Sequence, residues 1–215
     1  MEEIKIYVVG NATNYASWIN NHKLVDNIED ADIVLFTGGE DVDPSIYGKE
    51  KHPRTFSNLE RDLKEKAEFE KMKPTQLALG ICRGSQLLCA LNGGLLIQDC
   101  AGHAMLETHE ITNNGGIVVN ITSTHHQMQY PFNLTSGKDY DLLFYAKPNR
   151  SYYYDGDGIE NVPFEPEVVY YHVKGKPCSL AIQGHPEMMR KEAPVIEILN
   201  KLVEKCLTDA RSKTF

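Results

Sequence analysis

The sequence predicts an α/β protein built as a three-layer sandwich, with helices on both faces of a mostly parallel central sheet. Two observations predict it. Short runs that are continuously apolar, so buried on both faces, alternate along the chain with helical segments. Two glycine-containing turns, Thr37-Gly38-Gly39 and Cys82-Arg83-Gly84, fall at carboxyl ends of such runs, where open α/β sheets carry their sites.

Residues 4–9 read as the first strand, stopping at Gly10, and residues 32–36 as the second. Residues 58–72 are charged, with Leu59, Leu63, Ala67 and Phe69 at helical spacing, and Pro74 ends that helix. Residues 76–81 form another apolar strand, and Ser85 opens a short apolar helix closed by Asn92-Gly93-Gly94. Strand-like runs follow at 116–121, 141–146, 167–173 and 178–183, then an amphipathic helix over 192–206. The stretch from Asp155 to Gly158 has the look of a calcium loop. It lacks a Glu at the twelfth position, so a hairpin turn is the expectation. With no repeat or low-complexity linker, 1–215 reads as a single domain.

Bulk properties narrow the function. The 215 residues suffice for one full core, and 41% hydrophobic with 24% charged residues is the balance of a soluble globular chain. The formal net charge is −8 with no basic cluster, which disfavours a nucleic-acid partner. No apolar run approaches the ~18 residues that span a bilayer, and the acidic start, Met1-Glu2-Glu3-Ile4-Lys5, reads as a strand lead-in rather than a leader. Five irregularly spaced cysteines argue against a disulfide framework and for the reducing cytoplasm.

Gly80-Ile81-Cys82-Arg83-Gly84-Ser85-Gln86 is the cysteine form of a nucleophile elbow: strand, sharp turn, helix. The turn is tight enough to require small flanking residues. It also sets Cys82 near a helix N-terminus, whose partial positive charge favours the thiolate. A buried structural thiol in a βα turn is the competing reading of Cys82 taken alone. Cys89, Cys100, Cys178 and Cys206 lack this context. A thiolate needs a proton carrier. In Ile182-Gln183-Gly184-His185-Pro186-Glu187 a strand delivers His185 to the same sheet edge, and Glu187 is placed to hold its imidazole in one tautomer. By itself this is also how a surface His beside an exposed Glu looks. The two motifs together favour the catalytic reading.

These two motifs resemble the class I glutamine amidotransferases, and more closely the γ-glutamyl hydrolase branch (peptidase C26), which includes hydrolases of γ-glutamyl-γ-aminobutyrate. Further matching segments are Thr37-Gly-Gly-Glu-Asp-Val-Asp-Pro-Ser-Ile-Tyr-Gly48, Arg61-Asp62, Leu91-Asn-Gly-Gly-Leu-Leu-Ile-Gln-Asp99 and Thr122-Ser-Thr-His-His-Gln127. The resemblance implies a flavodoxin-like fold and a Cys82–His185–Glu187 amidohydrolase working through a γ-glutamyl thioester. It implies an oxyanion hole from the backbone N–H groups of Gly39 and Arg83. It implies glutamyl contacts from Gln86, Ser123 and His126, His126 being preferred to His125. Asp41 is a candidate for the substrate ammonium, or else a turn residue. Arg61 and Asp62 are expected to make structural hydrogen bonds at the helix start. No cofactor is implied, and no metal site is expected, since no ligand spacing near the loop is convincing.

The partners this implies are a γ-glutamyl small molecule or glutamine, with a separate synthetase and a homodimer both compatible. Two activities stay open: a stand-alone γ-glutamyl hydrolase, and a glutaminase subunit that passes ammonia to a synthetase. The Gly-Gly-Glu-Asp-Val-Asp-Pro segment fits the first better. A binding protein that kept the fold is disfavoured by the intact motifs. Three departures stand out. Gly184 replaces a residue that is commonly aromatic in the family, which suggests a wider pocket floor or a looser His turn. The segment between the first strand and Gly38 is short. Residues 150–177, with Tyr152, Tyr153, Tyr154, Tyr170 and Tyr171, match least well and are candidates for the acceptor side of the pocket.

Overall fold

Four strands at the centre of the molecule explain the continuous apolar runs. In the computed structural model, which describes residues 3–10 and 12–212, the strands are β1 Ile4–Val9, β2 His22–Leu24, β3 Ile33–Phe36, β4 Leu77–Ile81, β5 Leu95–Ile97, β6 Asp99–Cys100, β7 Glu107–Thr112, β8 Val118–Ser123, β9 Met128–Tyr130, β10 Tyr140–Ala146, β11 Tyr154–Asp155, β12 Glu165–Tyr171 and β13 Ser179–Ile182. The helices are α1 Leu59–Lys71, α2 Arg83–Leu91 and α3 Pro194–Ser212. Met1 and Glu2, which belong to the leader reading, lie outside the described residues.

A nine-stranded sheet runs in the order β2-β1-β3-β4-β13-β12-β10-β7-β8. The first five strands pair in parallel, and the rest of the ladder is antiparallel. Because each antiparallel partner reverses the last, only β12 and β7 oppose the common direction. Every residue of β3, β4, β12 and β13 is buried. Alternate residues serve opposite layers. Ile33, Leu35, Leu79, Ile81 and Leu180 pack with Val195, Leu199, Val203 and Leu207 of α3. Val34, Phe36, Ala78 and Ala181 pack with Phe69 of α1 and Leu87 and Leu88 of α2. The sheet is thus sandwiched as expected.

Several details depart from the sequence reading. In α1, Leu59 and Leu63 face solvent, and the buried residues are Asp62, Glu65 and Phe69. The helix is where expected, but its inward stripe is acidic because it answers a buried arginine described below. The β1–β2 crossover is abbreviated to a 3-10 turn, Thr13–Ala16. Asp155–Gly158 is no hairpin: β11 pairs with β6, and the turn bond runs from Ile159 N–H to Gly156 O at 3.2 Å. Strands β2, β6, β7, β9 and β11 carry no clear apolar signal; most are two or three residues long, and β7 is largely polar, while the apolar run of β5 is only three residues long. Among the described residues no helix is long and apolar enough to cross a membrane.

Candidate active site

Strand β4 turns into α2 at one residue. Cys82 takes φ 52° and ψ −111°, a conformation that costs a non-glycine residue energy and persists only where its surroundings over-determine it. The surroundings do so. A Cβ on Gly80 would lie 2.5 Å from Gly84 O, and one on Gly84 would lie 2.2 Å from Phe36 O. The Cys82 N–H donates to Ile182 O at 2.8 Å, and Ser85 Oγ donates back to Cys82 O at 2.6 Å. The two glycines are therefore steric requirements of the turn.

The partner arrives on β13. His185 is fixed from β8 by one hydroxyl: Thr122 Oγ1 accepts from His185 N–H at 2.9 Å and donates to His185 O at 3.0 Å. Pro186 starts a 3-10 turn, Pro186–Met188, that folds Glu187 back. The Glu187 carboxylate lies 2.7 Å from His185 Nδ1, both side chains nearly inaccessible. An ionised carboxylate only accepts, so Nδ1 carries the proton and Nε2 is left for the sulfur. Burial works to lower the His185 pKa. Hydrogen bonding to Cys82 and Glu187, and their negative charge, overcome this and raise it to about 10. Burial pushes the thiols of Cys89 and Cys206 up to about 12.

The expected loosening at Gly184 is not found. A Cβ there would sit 2.6 Å from both Ile121 Cγ1 and Thr122 O. The position is glycine because β8 presses against it, and Thr122 then clamps the His turn. Tyr170 and Tyr171 are also placed away from any acceptor side, since both are core residues of β12.

The Gly38-Gly39 loop is wrapped by Arg61. Its Nη2 donates to Gly38 O at 2.9 Å, its Nε to Glu65 Oε1 at 2.7 Å, and its Nη1 occupies the space where a Gly39 Cβ would be, 2.2 Å away. Gly39 itself has φ 142°, accessible to glycine. Arg83, the residue after the cysteine, buries its guanidinium between Asp62 and Glu65. Both glycine-loop and elbow backbones are thereby anchored to α1. Arg61 and Asp62 do more than start a helix, and Glu65 joins them with no motif to signal it.

The remaining predicted residues separate into two groups. Gln86 is buried and donates through Nε2 to Gln127 O at 2.8 Å, holding the 123–127 loop. Ser123 is buried and donates to His103 O at 2.9 Å. His126 and Asp41 do come together. His126 Nε2 lies 3.1 Å from Asp41 Oδ1 and its Nδ1 lies 3.4 Å from Asp99 Oδ1. Hydrogen bonding to Asp41 raises the His126 pKa against the opposing effect of burial. Asp41 also accepts from Phe56 N–H at 2.8 Å, serving its own turn. His125 is the more deeply buried of the two histidines. Burial first, then the charges of His103, His109 and His185, hold its pKa well below the ordinary value.

Tyr15 joins the site without any sequence motif to mark it. Its ring centroid is 6.1 Å from that of His185, and its hydroxyl lies 2.6 Å from where a Gly38 Cβ would be. Burial, then the charges of Glu187 and Cys82, raise its pKa. It sits in the irregular 3-10 turn after β1, where no periodicity marks a residue.

The chain matches the Peptidase C26 family model over residues 12–137, more than half its length. A Mycobacterium tuberculosis protein provisionally named a glutamine amidotransferase is 29% identical over 161 residues, covering 72% of this chain and 50% of that one. The chain spans at most half the length of the curated relatives it matches. Two solved structures share the fold. A protein from Thermoplasma acidophilum, provisionally named as one subunit of a GMP synthase, aligns with TM-score 0.63 at 15% identity, covering 98% of this chain and 97% of that one. A glutamine amidotransferase from Thermotoga maritima aligns with TM-score 0.52 at 16% identity, covering 98% and 88%.

Proposed function

Because the chain belongs to the peptidase C26 family, we propose that it hydrolyses γ-glutamyl amide bonds through a thioester on Cys82. The observation that carries this reading is the strained elbow holding Cys82 against an imidazole whose far nitrogen meets Glu187 at 2.7 Å. The Cys82 Sγ attacks the γ-carbonyl carbon as thiolate. The carbonyl electrons move onto oxygen, which the N–H groups of Gly39 and Arg83 receive. As the tetrahedral centre collapses, the imidazolium gives its Nε2 proton to the leaving amine. The neutral imidazole next takes a proton from water, whose oxygen attacks the thioester. Sγ leaves, glutamate is released and the thiolate–imidazolium pair is restored.

On the glutamyl side, the 123–127 loop, Gln86, His126 and Asp41 form the proposed contact region. Glutamate release from a panel of γ-glutamyl amides, glutamine included, tests the reading. We expect the unaltered chain to release glutamate and Cys82→Ala to release none, with a glutamine-like alkylating agent labelling Cys82 alone. Labelling at Cys89 or Cys178 would overturn it. Within the panel, a γ-glutamyl anilide is cut and its N-acetylated form is not, because a site built for an ammonium leaves its partners unpaired against an amide. A change in kcat/KM below about tenfold, roughly 1.4 kcal/mol, would remove the glutamyl role from these residues.

The second reading, a glutaminase that hands ammonia to a separate synthetase, is supported by the amidotransferase name of the 29% identical relative. It predicts turnover of glutamine in preference to every other amide of the panel.

A further inference from the structure

Behind the 123–127 loop, two histidines and a glutamate converge from three parts of the chain. His103 lies in the loop between β6 and β7, His109 on β7 and Glu167 on β12. One ring nitrogen from each histidine and a carboxylate oxygen of Glu167 lie within 4.8 Å of one another, and all three residues are buried. Their hydrogen-bond accounts do not close by themselves.

Glu165 is the reference point. It is 0% exposed and meets four donors: Arg150 N–H at 2.8 Å, Ser151 N–H at 2.7 Å, the Tyr154 hydroxyl at 2.8 Å and His103 Nε2 at 3.0 Å. A carboxylate so surrounded accepts from all of them, so the His103 proton sits on Nε2. That leaves the lone pair of His103 Nδ1 pointing at oxygens. Ser123 Oγ is 3.1 Å from Nδ1 and 2.9 Å from His103 O, which also accepts from His125 N–H at 3.0 Å, and Glu167 Oε1 is 3.8 Å away. Glu167, also 0% exposed, has its Oε1 at 2.7 Å from His109 Nε2, while its Oε2 has no partner. The Nδ1 of His109 and the Nε2 of His125, whose ring stacks on His103 at 4.6 Å, are unpartnered too. A buried carboxylate with one bare oxygen, its other oxygen 3.8 Å from an imidazole lone pair, calls for a shared cation.

We propose that His103 Nδ1, His109 and Glu167 form a binding site for a divalent metal ion of the zinc class. Two imidazoles and a carboxylate suit such an ion. Glu165 on His103 Nε2 supplies the outer carboxylate–histidine contact that fixes a ligand's tautomer and orientation. Ser123 Oγ lies 3.1 Å from His103 Nδ1. A second proton on His103 would quiet its Nδ1 but leave Glu167 Oε2 bare; the ion meets both needs. A cleft of about 430 Å³, lined by Gly102, His109, Lys147 and Arg150 among others, offers a route in. The ion would cross-link β7, the end of β8 and β12 behind the loop that Gln86 holds in front.

The test uses the Cys82→Ala chain, so that metal on the active-site thiol is not counted. After dialysis against a chelator it is titrated with zinc by calorimetry, and with cobalt(II) by visible absorption. We expect one equivalent bound, a rise in thermal midpoint of at least about 5 °C at saturating zinc, and the d–d bands of tetrahedral cobalt without a thiolate charge-transfer band. Glu167→Gln and His109→Gln should each weaken binding by more than the roughly 10–100-fold typical of losing an outer contact, and His52→Gln should leave it unchanged. Absence of stoichiometric binding in the folded parent chain overturns the site and leaves the cluster a proton-holding ion pair. So does binding that survives Glu167→Gln, or a thiolate band. Should the ligand variants not fold, the cobalt spectrum of the parent chain decides.

Discussion

At the residue scale, the chemistry hangs on Cys82 and on what its conformation requires. Its positive φ goes with a turn so tight that a Cβ on Gly80 or Gly84 would come within 2.2–2.5 Å of backbone oxygen, so Gly84→Ala should displace the elbow. We expect that variant to lose activity and to fall in thermal midpoint together, read by glutamate release and calorimetry. His185 and Glu187 divide their work unequally in the proposed mechanism: the imidazole carries the proton, the carboxylate orients it. His185→Asn should therefore cost about 10²–10⁴ in kcat/KM, and Glu187→Gln clearly less. Equal losses from His125→Asn and His185→Asn, with Glu187→Gln silent, would identify a different base. The raised pKa of His185 also has a stability consequence. A group at about 10 when folded, against 6.5 in its ordinary state, binds its proton more tightly in the native chain. Its contribution is complete below about pH 6.5 and fades as pH climbs toward 10. The midpoint difference between wild type and His185→Asn should shrink over that interval; a difference that widens would reverse the assignment.

At the element scale, α1 is the least conventional part of the fold. Its buried residues Asp62 and Glu65 meet the guanidinium of Arg83, and Arg61 closes over the Gly38-Gly39 loop from the same helix. One helix thus aligns both backbone segments of the proposed oxyanion hole. Removing Glu65 leaves the buried guanidinium of Arg83 with Asp62 alone and takes the acceptor from Arg61 Nε, and breaking a buried ion pair is the expensive case. Glu65→Ala should destabilise the chain by about 3–5 kcal/mol in denaturant unfolding. In what remains folded, kcat should fall more than KM rises, because the displaced donors serve the transition state. A neutral stability result would show Asp62 alone sufficient for Arg83. The apolar spacing of Leu59, Leu63, Ala67 and Phe69 locates the helix but not its inward face. Sequence periodicity registers apolar residues, whereas here a charged residue from another element chooses the buried side.

At the scale of the whole molecule, one continuous nine-stranded sheet carries two apolar layers, one under α3 and one under α1 and α2. We expect residues 1–215 to unfold in a single calorimetric transition, with calorimetric and van't Hoff enthalpies equal; two resolved transitions would divide the chain. The sequence by itself determined the α/β layering, the central strands and the two motifs at strand ends. Each of these is written locally, in continuous apolar runs and in glycines whose Cβ would collide. Tertiary structure alone decided the rest. It set Thr122 as the clamp on His185 and the reason for Gly184, since both depend on β8 lying beside β13's end. It brought Tyr15 to His185 and Glu65 to Arg83, across gaps in sequence that no spacing encodes. It also gathered His103, His109 and Glu167. The physical reason is common to all. Hydrogen bonds and buried charges are satisfied by distance in space, and only a folded sheet sets residues 58 and 64 positions apart within 4.8 Å of one another.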